Sequence, residues 1–280
     1  MLRVALPNKG SLAEDSIKIL IEAGYKQRSD SRDLVTLDDV NQIEFYYLRP
    51  RDIAIYVASG ELNIGITGRD LLLDSAVDAH ELLSLGFGRS TFRFGVSADL
   101  TGADISMLNG KRVATSYPGL VKSYLANKSI KAEVVQLDGA VESAVRLGVA
   151  DAIADVVSTG NTLRQAGLKV IGESILESEA VLISSSKTTD EMQILIHRLN
   201  SVIIARQYVL MDYDIKSELL DKACSITPGF ESPTISPLRV EGWSAVRAMV
   251  PRKSAQKVMD ELWAIGARGI LVTDIHACRL

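Results

Sequence analysis

The chain has 280 residues, 47% of them hydrophobic and 24% charged, and a formal net charge of −4. That balance describes a globular protein with room for two or three domains and excludes a disordered or fibrous chain. It argues against a nucleic-acid scaffold while leaving room for local basic pockets that take an anionic small molecule. In chain order, Leu2–Leu6 is the first predicted strand, and it reads as a strand rather than a signal peptide. No apolar run approaches the roughly 20 residues that a bilayer span requires, so the expectation is a cytoplasmic protein with no membrane partner. Asn8-Lys9-Gly10-Ser11 follows as a turn and N-cap, and Ala13, Ile17, Leu20 and Ile21 share one face of a helix that Gly24 stops. After a polar interruption, Leu34–Leu37 and Ile43–Leu48 predict a hairpin, and Pro50 opens a helix that Gly60 ends. Leu62–Ile66 is a buried strand running into Thr67-Gly68-Arg69-Asp70.

A second block of alternating strands and helices starts near Phe92. It comprises Arg112–Thr115, a helix opened by Pro118, Glu133–Leu137, a helix over Val141–Gly148, and the apolar strand Ala152–Ala154. Leu163, Ala166 and Leu168 then suggest a short helix. Ala180–Ile183 and the amphipathic stretch Glu191–Arg206 have no place in that repeat and would return the chain to the first lobe. The last segments, over Tyr208–Tyr213, Ser217–Cys224, Thr234–Leu238, Trp243–Val250, Ala255–Ile265 and Gly269–Thr273, follow the βαββαβ order of a ferredoxin-like module. The fold class predicted is α/β: a two-lobed, periplasmic-binding-protein-like unit followed by a C-terminal ferredoxin-like βαββαβ domain. Residues 1–90 and 179–206 are expected to form lobe I, residues 91–178 lobe II, and residues 207–280 the C-terminal domain.

The most informative run is Asp155-Val156-Val157-Ser158-Thr159-Gly160-Asn161-Thr162. It couples a carboxylate at a strand end to backbone donors, a helix start and three hydroxyls, the pattern expected where 5-phosphoribosyl diphosphate (PRPP) is bound. An ordinary Ser/Thr-capped turn is the competing reading. Lys9 beside Gly10 can reach phosphate oxygens, or can be a solvated lysine; Arg49 and Arg51 bracket Pro50 and can grip phosphate or stack on a purine, or pair with Asp52. Asp70, ahead of Leu71, is either a ribose or adenine partner or an N-cap, and Tyr117 can stack on a base or simply pack. Glu142 is predicted in the first turn of a helix, where with Asp155 it would recruit a hard cation near a diphosphate. Cys224 and Cys278 have neither metal-ligand spacing nor a disulfide framework and read as buried or semi-buried thiols. His80, His197 and His276 are scattered over a predicted loop, helix and terminal strand, so any metal is expected to be Mg²⁺ rather than a His-ligated transition metal.

Five motifs in order, Pro7-Asn8-Lys9-Gly10, Leu48-Arg49-Pro50, Gly65–Asp70, Leu137–Glu142 and Asp151–Thr162, resemble the ATP phosphoribosyltransferases. The resemblance continues through Thr227–Thr234, so the chain is similar to the long form of that family, with its own regulatory domain. It implies transfer of the 5-phosphoribosyl group of PRPP to N1 of ATP, with release of pyrophosphate and with Mg²⁺ as cofactor, as the first step of histidine biosynthesis. It also implies dimers assembled into hexamers, feedback inhibition by histidine, and AMP as a further nucleotide to test. The roles implied are Lys9 and Asp155 in catalysis; Asp155, Val156, Ser158, Thr159, Gly160, Asn161 and Thr162 on PRPP; and Gly10, Arg49, Arg51, Asp70, Leu71 and Tyr117 on ATP. Glu142 and Asp155 would hold the metal, and Asp214, Ser232 and Thr234 the inhibitory histidine. Asn161 departs from the arginine or small residue expected there. The rival readings are a solute-binding receptor with the same two-lobed cleft, and a catalytically silent subunit of the same fold.

Overall fold

The computed structural model describes residues 1–157 and 160–279 and divides into two compact units, Met1–Ile196 and His197–Leu280. The first unit opens with β1 (Leu2–Pro7), α1 (Ser11–Glu22), β2 (Val35–Asp38), β3 (Ile43–Leu48), α2 (Pro50–Ala58), β4 (Ile64–Gly68), α3 (Arg69–Ser75) and β5 (His80–Ser84). It continues through β6 (Ser90–Ser97), β7 (Arg112–Thr115), α4 (Pro118–Asn127), β8 (Glu133–Gln136), β9 (Ala152–Val157), α5 (Asn161–Gln165) and β10 (Leu168–Ser178). It then returns with β11 (Ala180–Ser184), and α6 (Asp190–Gln207) spans the boundary between the units.

Two sheets result. One has the order β2-β3-β1-β4-β11-β5 and the other β10-β6-β9-β7-β8. We call them, with their helices, lobe I and lobe II. Strands β1, β3 and β4 run parallel, as do β7, β8 and β9, so the carboxyl ends within each set point to one edge of its sheet. The chain crosses between lobes at residues 85–89 and again at Glu179, and the crossings are hydrogen-bonded to each other, Leu85 N to Ala180 O and Ala180 N to Phe87 O, both at 2.9 Å. Two such lobes joined by paired crossings are the periplasmic-binding-protein plan anticipated from the sequence.

Local chemistry explains the elements that carry the cleft. α1 ends where Gly24 takes φ +85°, with Gly24 N bonded to Ile21 O and Tyr25 N to Leu20 O, a Schellman stop that only a residue tolerant of positive φ makes cheaply. Pro50 occupies the first turn of α2, where its missing N–H costs nothing. β4 is buried along its whole length. A Cβ at Gly65 would sit 2.6 Å from a methyl of Ile53, so this glycine lets α2 lie close on the sheet. In lobe II, Phe92 and Phe94 on β6 are fully buried against Val121 and Leu125 of α4, each phenyl contributing about 1.5–3 kcal/mol by leaving water.

Five details depart from the sequence reading. Val141–Gly148 is a 3₁₀ turn over Val141–Ser143 and further turns, because the bonds Ser143 N to Ala140 O and Ala144 N to Val141 O close three-residue steps. Ile21 is exposed, and Ser16 and Ile19 join Ala13 and Leu20 on the buried side of α1. His80 opens strand β5 rather than lying in a loop, and His276 lies past the end of the final strand. Leu168 begins β10, an eleven-residue strand interrupted by a register shift between Ile171 and Leu176 that hides its alternation.

The second unit contains β12 (Tyr208–Lys216), α7 (Leu220–Ile226), β13 (Thr234–Pro237), β14 (Trp243–Pro251), α8 (Ala255–Ala264) and β15 (Arg268–Asp274). The sheet order β13-β14-β12-β15 is the ferredoxin-like one, as predicted. Val209, Met211, Tyr213 and Ile215 face the helices, packing with Ala223, Ala255 and Leu262. The buried Tyr213 hydroxyl is satisfied by Thr227 Oγ1 at 2.7 Å. Both cysteines are half-buried, matching the expectation for them. No helix among the described residues is long and apolar enough to cross a membrane.

Candidate active site

The predicted substrate-binding residues of the first unit that the structure describes lie near or just beyond the carboxyl ends of parallel strands. In lobe I, β1 leads to Asn8-Lys9-Gly10, β3 to Arg49-Pro50-Arg51 and β4 to Arg69-Asp70-Leu71; in lobe II, β7 leads to Ser116-Tyr117, β8 to the turn bearing Glu142, and β9 to the loop before α5. This edge is where open α/β sheets collect ligands.

The Asn8–Gly10 turn is fixed from outside. Asn8 N donates to Leu48 O at 2.8 Å, and Asn8 O accepts from Arg28 Nη2 at 3.0 Å, while the Arg28 guanidinium lies 4.1 Å over the Tyr47 ring. Gly10 caps α1 at φ +79°, with no side-chain cap, so the first N–H groups of this twelve-residue helix stay available beside the exposed Lys9. Asn8 Oδ1 is buried without a hydrogen-bond partner among the described residues.

Asp70 does not cap α3; Gly68 holds the cap position and Asp70 is the second helical residue. It is 8% exposed, and Ser178, the last residue of β10, engages it twice: Ser178 Oγ donates to Asp70 Oδ1 at 3.0 Å and accepts from Asp70 N at 3.1 Å. A Cβ at Gly68 would fall 2.2 Å from Asp70 Oδ1, so the carboxylate can occupy this place only beside a glycine. Leu71 is half-buried behind it.

Tyr117 stands at the mouth of α4, its N–H bonded to Thr115 Oγ1 at 3.0 Å. Its ring meets Phe92 edge-on at 5.1 Å, and the Arg51 guanidinium lies 4.8 Å from the ring centroid. The partner of Arg51 is Asp74, at 2.9 Å, and not the neighbouring Asp52. Burial pushes the Tyr117 hydroxyl well above its ordinary range, the Asp70 and Asp155 charges add to that, and Arg51 opposes it.

Asp155 lies within β9, two residues before its end, where burial raises its carboxyl above the usual range. The negative charges of Glu142 and Asp70 reinforce that rise, against one opposing hydrogen bond from Val156 N at 2.8 Å. The charges of Asp70 and Glu142 thus bear on Asp155, and those of Asp70 and Asp155 on Tyr117. The Glu142 and Asp155 carboxylates are hard oxygen donors of the kind that would suit Mg²⁺. No group of three or more His, Cys, Asp and Glu side chains among the described residues suits a metal on its own.

Of the predicted phosphate loop, Val156 ends its strand with Val157, Gly160 caps α5 at φ +72°, and the exposed Thr162 sits in the first turn. Asn161 Oδ1 accepts from Arg164 Nη2 at 2.5 Å, so this side chain is engaged locally. Ser158 and Thr159 lie outside the described residues. A cavity of about 360 Å³ is lined by Arg69, Arg89, Thr91, Val157, Ser178 and Glu179 among others, at the crossings and the end of β9. Arg69 is held there by Glu81, through bonds of 2.9 and 2.8 Å, and by Ser84 Oγ at 2.8 Å.

Thus the structure brings Arg51 and Asp70 to Tyr117, with Asp155 close enough to act on Tyr117 through its charge and Glu142 on Asp155 in the same way; Lys9, Gly10 and Arg49 lie at the carboxyl-end edge of the lobe I sheet, without a direct contact to them among the bonds and ion pairs described. Sequence reasoning missed Ser178 and Asp74. Asp74 did leave a signal, since a carboxylate in a helix's last turn faces the unfavourable end of its dipole and so calls for an outside partner.

In the second unit, Asp214 and Thr234 lie on the sheet face opposite the helices, with β14 between them, and Arg247 on that face donates to Asp212 Oδ1 at 2.7 Å. Ser232 is exposed in the loop before β13.

A sequence model of the HisG family, described as ATP phosphoribosyltransferase, matches residues 49–203, and one described as the HisG C-terminal domain matches residues 205–277. Among curated relatives, the ATP phosphoribosyltransferase of Pseudarthrobacter chlorophenolicus is 61% identical, and that of Streptomyces coelicolor 59% identical, each aligned over 100% of both chains. Among solved structures, the ATP phosphoribosyl transferase (HisG:HisZ) complex from Thermotoga maritima aligns with a TM-score of 0.62 and 25% identity, covering 73% of this chain and 99% of that one.

Proposed function

This chain belongs to the ATP phosphoribosyltransferase family, a family of transferases that act at the first step of histidine biosynthesis, and from that premise we propose how its residues divide the work. The reaction is displacement at C1 of PRPP by N1 of ATP, with inversion, giving N1-(5-phosphoribosyl)-ATP and pyrophosphate. Its transition state carries positive charge on the ribose ring, so it calls for positioning and for negative charge nearby more than for a strong base.

Asp155 is the group we assign to the ribose, with Val156, Ser158, Thr159, Gly160, Asn161 and Thr162 around the 5-phosphate; for Asn161 we assign the backbone alone, because its side chain is taken by Arg164. Lys9 meets the departing pyrophosphate. Arg49, Arg51, Asp70, Leu71 and Tyr117, with Gly10 allowing close approach, hold ATP. Glu142 and Asp155 hold Mg²⁺, which shields the charge of the diphosphate. The observation that carries this reading is the half-buried Asp155 near the end of β9, a carboxyl raised by burial first and by the Glu142 and Asp70 charges after it, with Tyr117 within reach of the same charges.

We assign lobe I to residues 1–90 and 179–206, lobe II to 91–178 and the regulatory domain to 207–280. On that domain Asp214 would meet the ammonium of histidine, and Ser232 and Thr234 its carboxylate, giving feedback inhibition. The working assembly is a dimer that builds a hexamer in the cytoplasm. AMP is a further nucleotide to test, competing at the ATP side. Mixing the protein with ATP, PRPP, Mg²⁺ and pyrophosphatase tests the reading: growth of N1-substituted adenine absorbance is expected. Binding of both substrates with no product would instead leave a solute-binding protein or a silent subunit.

A further inference from the structure

The two lobes are also joined by an acidic contact separate from the crossings. Asp74 closes α3 of lobe I, its side chain 9% exposed. Its Oδ1 accepts from Gly119 N at 2.8 Å and Leu120 N at 3.2 Å, in the first turn of α4 in lobe II. Its Oδ2 accepts from Arg51 Nη1 at 2.9 Å. α4 has no side-chain cap of its own, and the residue before its first turn is Tyr117. One carboxylate thus caps the positive end of a ten-residue helix and pairs with the arginine that covers the Tyr117 ring. Backbone approach matches this contact: a Cβ at Gly119 would lie 2.2 Å from the Asp74 carbonyl oxygen, so α4 sits against α3 at a distance only glycine permits.

We infer that Asp74 is a positioning residue, a latch that seats the start of α4 on lobe I and so holds Tyr117 and Arg51 where the nucleotide binds. The latch acts through those two groups and touches no substrate. Its kinetic consequence rests on the phosphoribosyl-transfer reading; its geometric consequence does not.

Two independent perturbations test it in the full-length protein. Asp74→Ala removes the attraction. Gly119→Ala leaves Asp74 in place but drives a wedge into the contact, and because alanine is a better helix former than glycine, α4 itself is not weakened. Spin labels at Glu61→Cys in lobe I and Lys128→Cys in lobe II, both exposed positions, in a background with Cys224 and Cys278 replaced by serine, report the distance between lobes. Both variants are expected to lengthen and broaden that distance distribution while melting as folded proteins. Both are expected to raise the KM for ATP about tenfold, with kcat changing less, and Asp74→Asn, which keeps one acceptor for the α4 amides, to fall between. Unchanged distances in both variants overturn the latch; altered distances with an unchanged KM overturn its positioning role. If the wild-type protein makes no product, the functional reading fails on its own and the distances alone decide the latch.

Discussion

Asp155→Asn separates function from stability. Asparagine keeps an oxygen for the hydrogen bond this side chain accepts from Val156 N at 2.8 Å. What it removes is a charge that burial, Glu142 and Asp70 all oppose. A carboxyl whose folded-state pKa is raised costs the folded state stability at pH values above that pKa, about 1.4 kcal/mol for each unit of rise. In Mg²⁺-free buffer at neutral pH the variant should therefore melt at the wild-type temperature or higher. Turnover should move the other way, since deleting one electrostatic partner of a developing charge costs about 10²–10³-fold, or about 3–4 kcal/mol of barrier. Added Mg²⁺ should raise the wild-type melting temperature more than that of the variant. Calorimetric melts with and without Mg²⁺, paired with steady-state rates, read all three. A melting temperature lowered by more than about 4 °C, about 1 kcal/mol or more for a chain of this size, would make Asp155 a structural residue, and kcat/KM within about tenfold of wild type would remove it from catalysis.

Asp38 supplies a pH dependence. Burial raises its carboxyl, but hydrogen bonds from the Asn41 side chain, Lys26 N and Asn41 N outweigh that and hold it below the usual carboxylate range. Its stabilisation is therefore present above the unfolded-state pKa of about 3.9 and is lost as the pH falls below that value. Asp38→Asn turns an NH₂ toward donors that now meet oxygen, so it should cost about 1–3 kcal/mol at neutral pH and flatten the acid side of the stability curve; urea titrations at several pH values giving parallel curves for both proteins would refute this. On the second unit, Asp214→Ala and Thr234→Val should weaken histidine binding about tenfold or more in calorimetry while leaving turnover without histidine unchanged. Undiminished inhibition by histidine in both would move the effector site elsewhere.

Much of this molecule can be read from its residues because local signals and tertiary packing agree. Pro50, Pro118, Gly24 and Gly60 punctuate helices at positions where only their backbone preferences fit, and Arg112–Thr115 alternates into a strand whose bounds the structure repeats. The elements that escaped are those whose partners are distant. β5 is half-exposed and, among the described residues, pairs only with β11, about a hundred residues later, so nothing nearby marks it as a strand. The Val141–Gly148 stretch has helical periodicity, yet Ala140 starts it at φ +50° and its first bonds close after three residues. In the candidate site the residue types and their strand-end positions are legible, whereas Ser178 and Asp74 act across the fold on partners 108 and 45 residues away.

The insertion of β11 between β4 and β5 has a consequence for biosynthesis. Until Ala180–Ser184 leaves the ribosome, the fully buried β4 has an open hydrogen-bonding edge and β5 has no neighbour to join. Lobe II, whose strands all lie between Ser90 and Ser178, can complete its sheet first, so the amino-terminal lobe closes only after the one made later. A nascent chain stalled short of residue 180 would present that apolar edge to other chains, which makes translation through this stretch the interval most exposed to misassembly and to capture by chaperones.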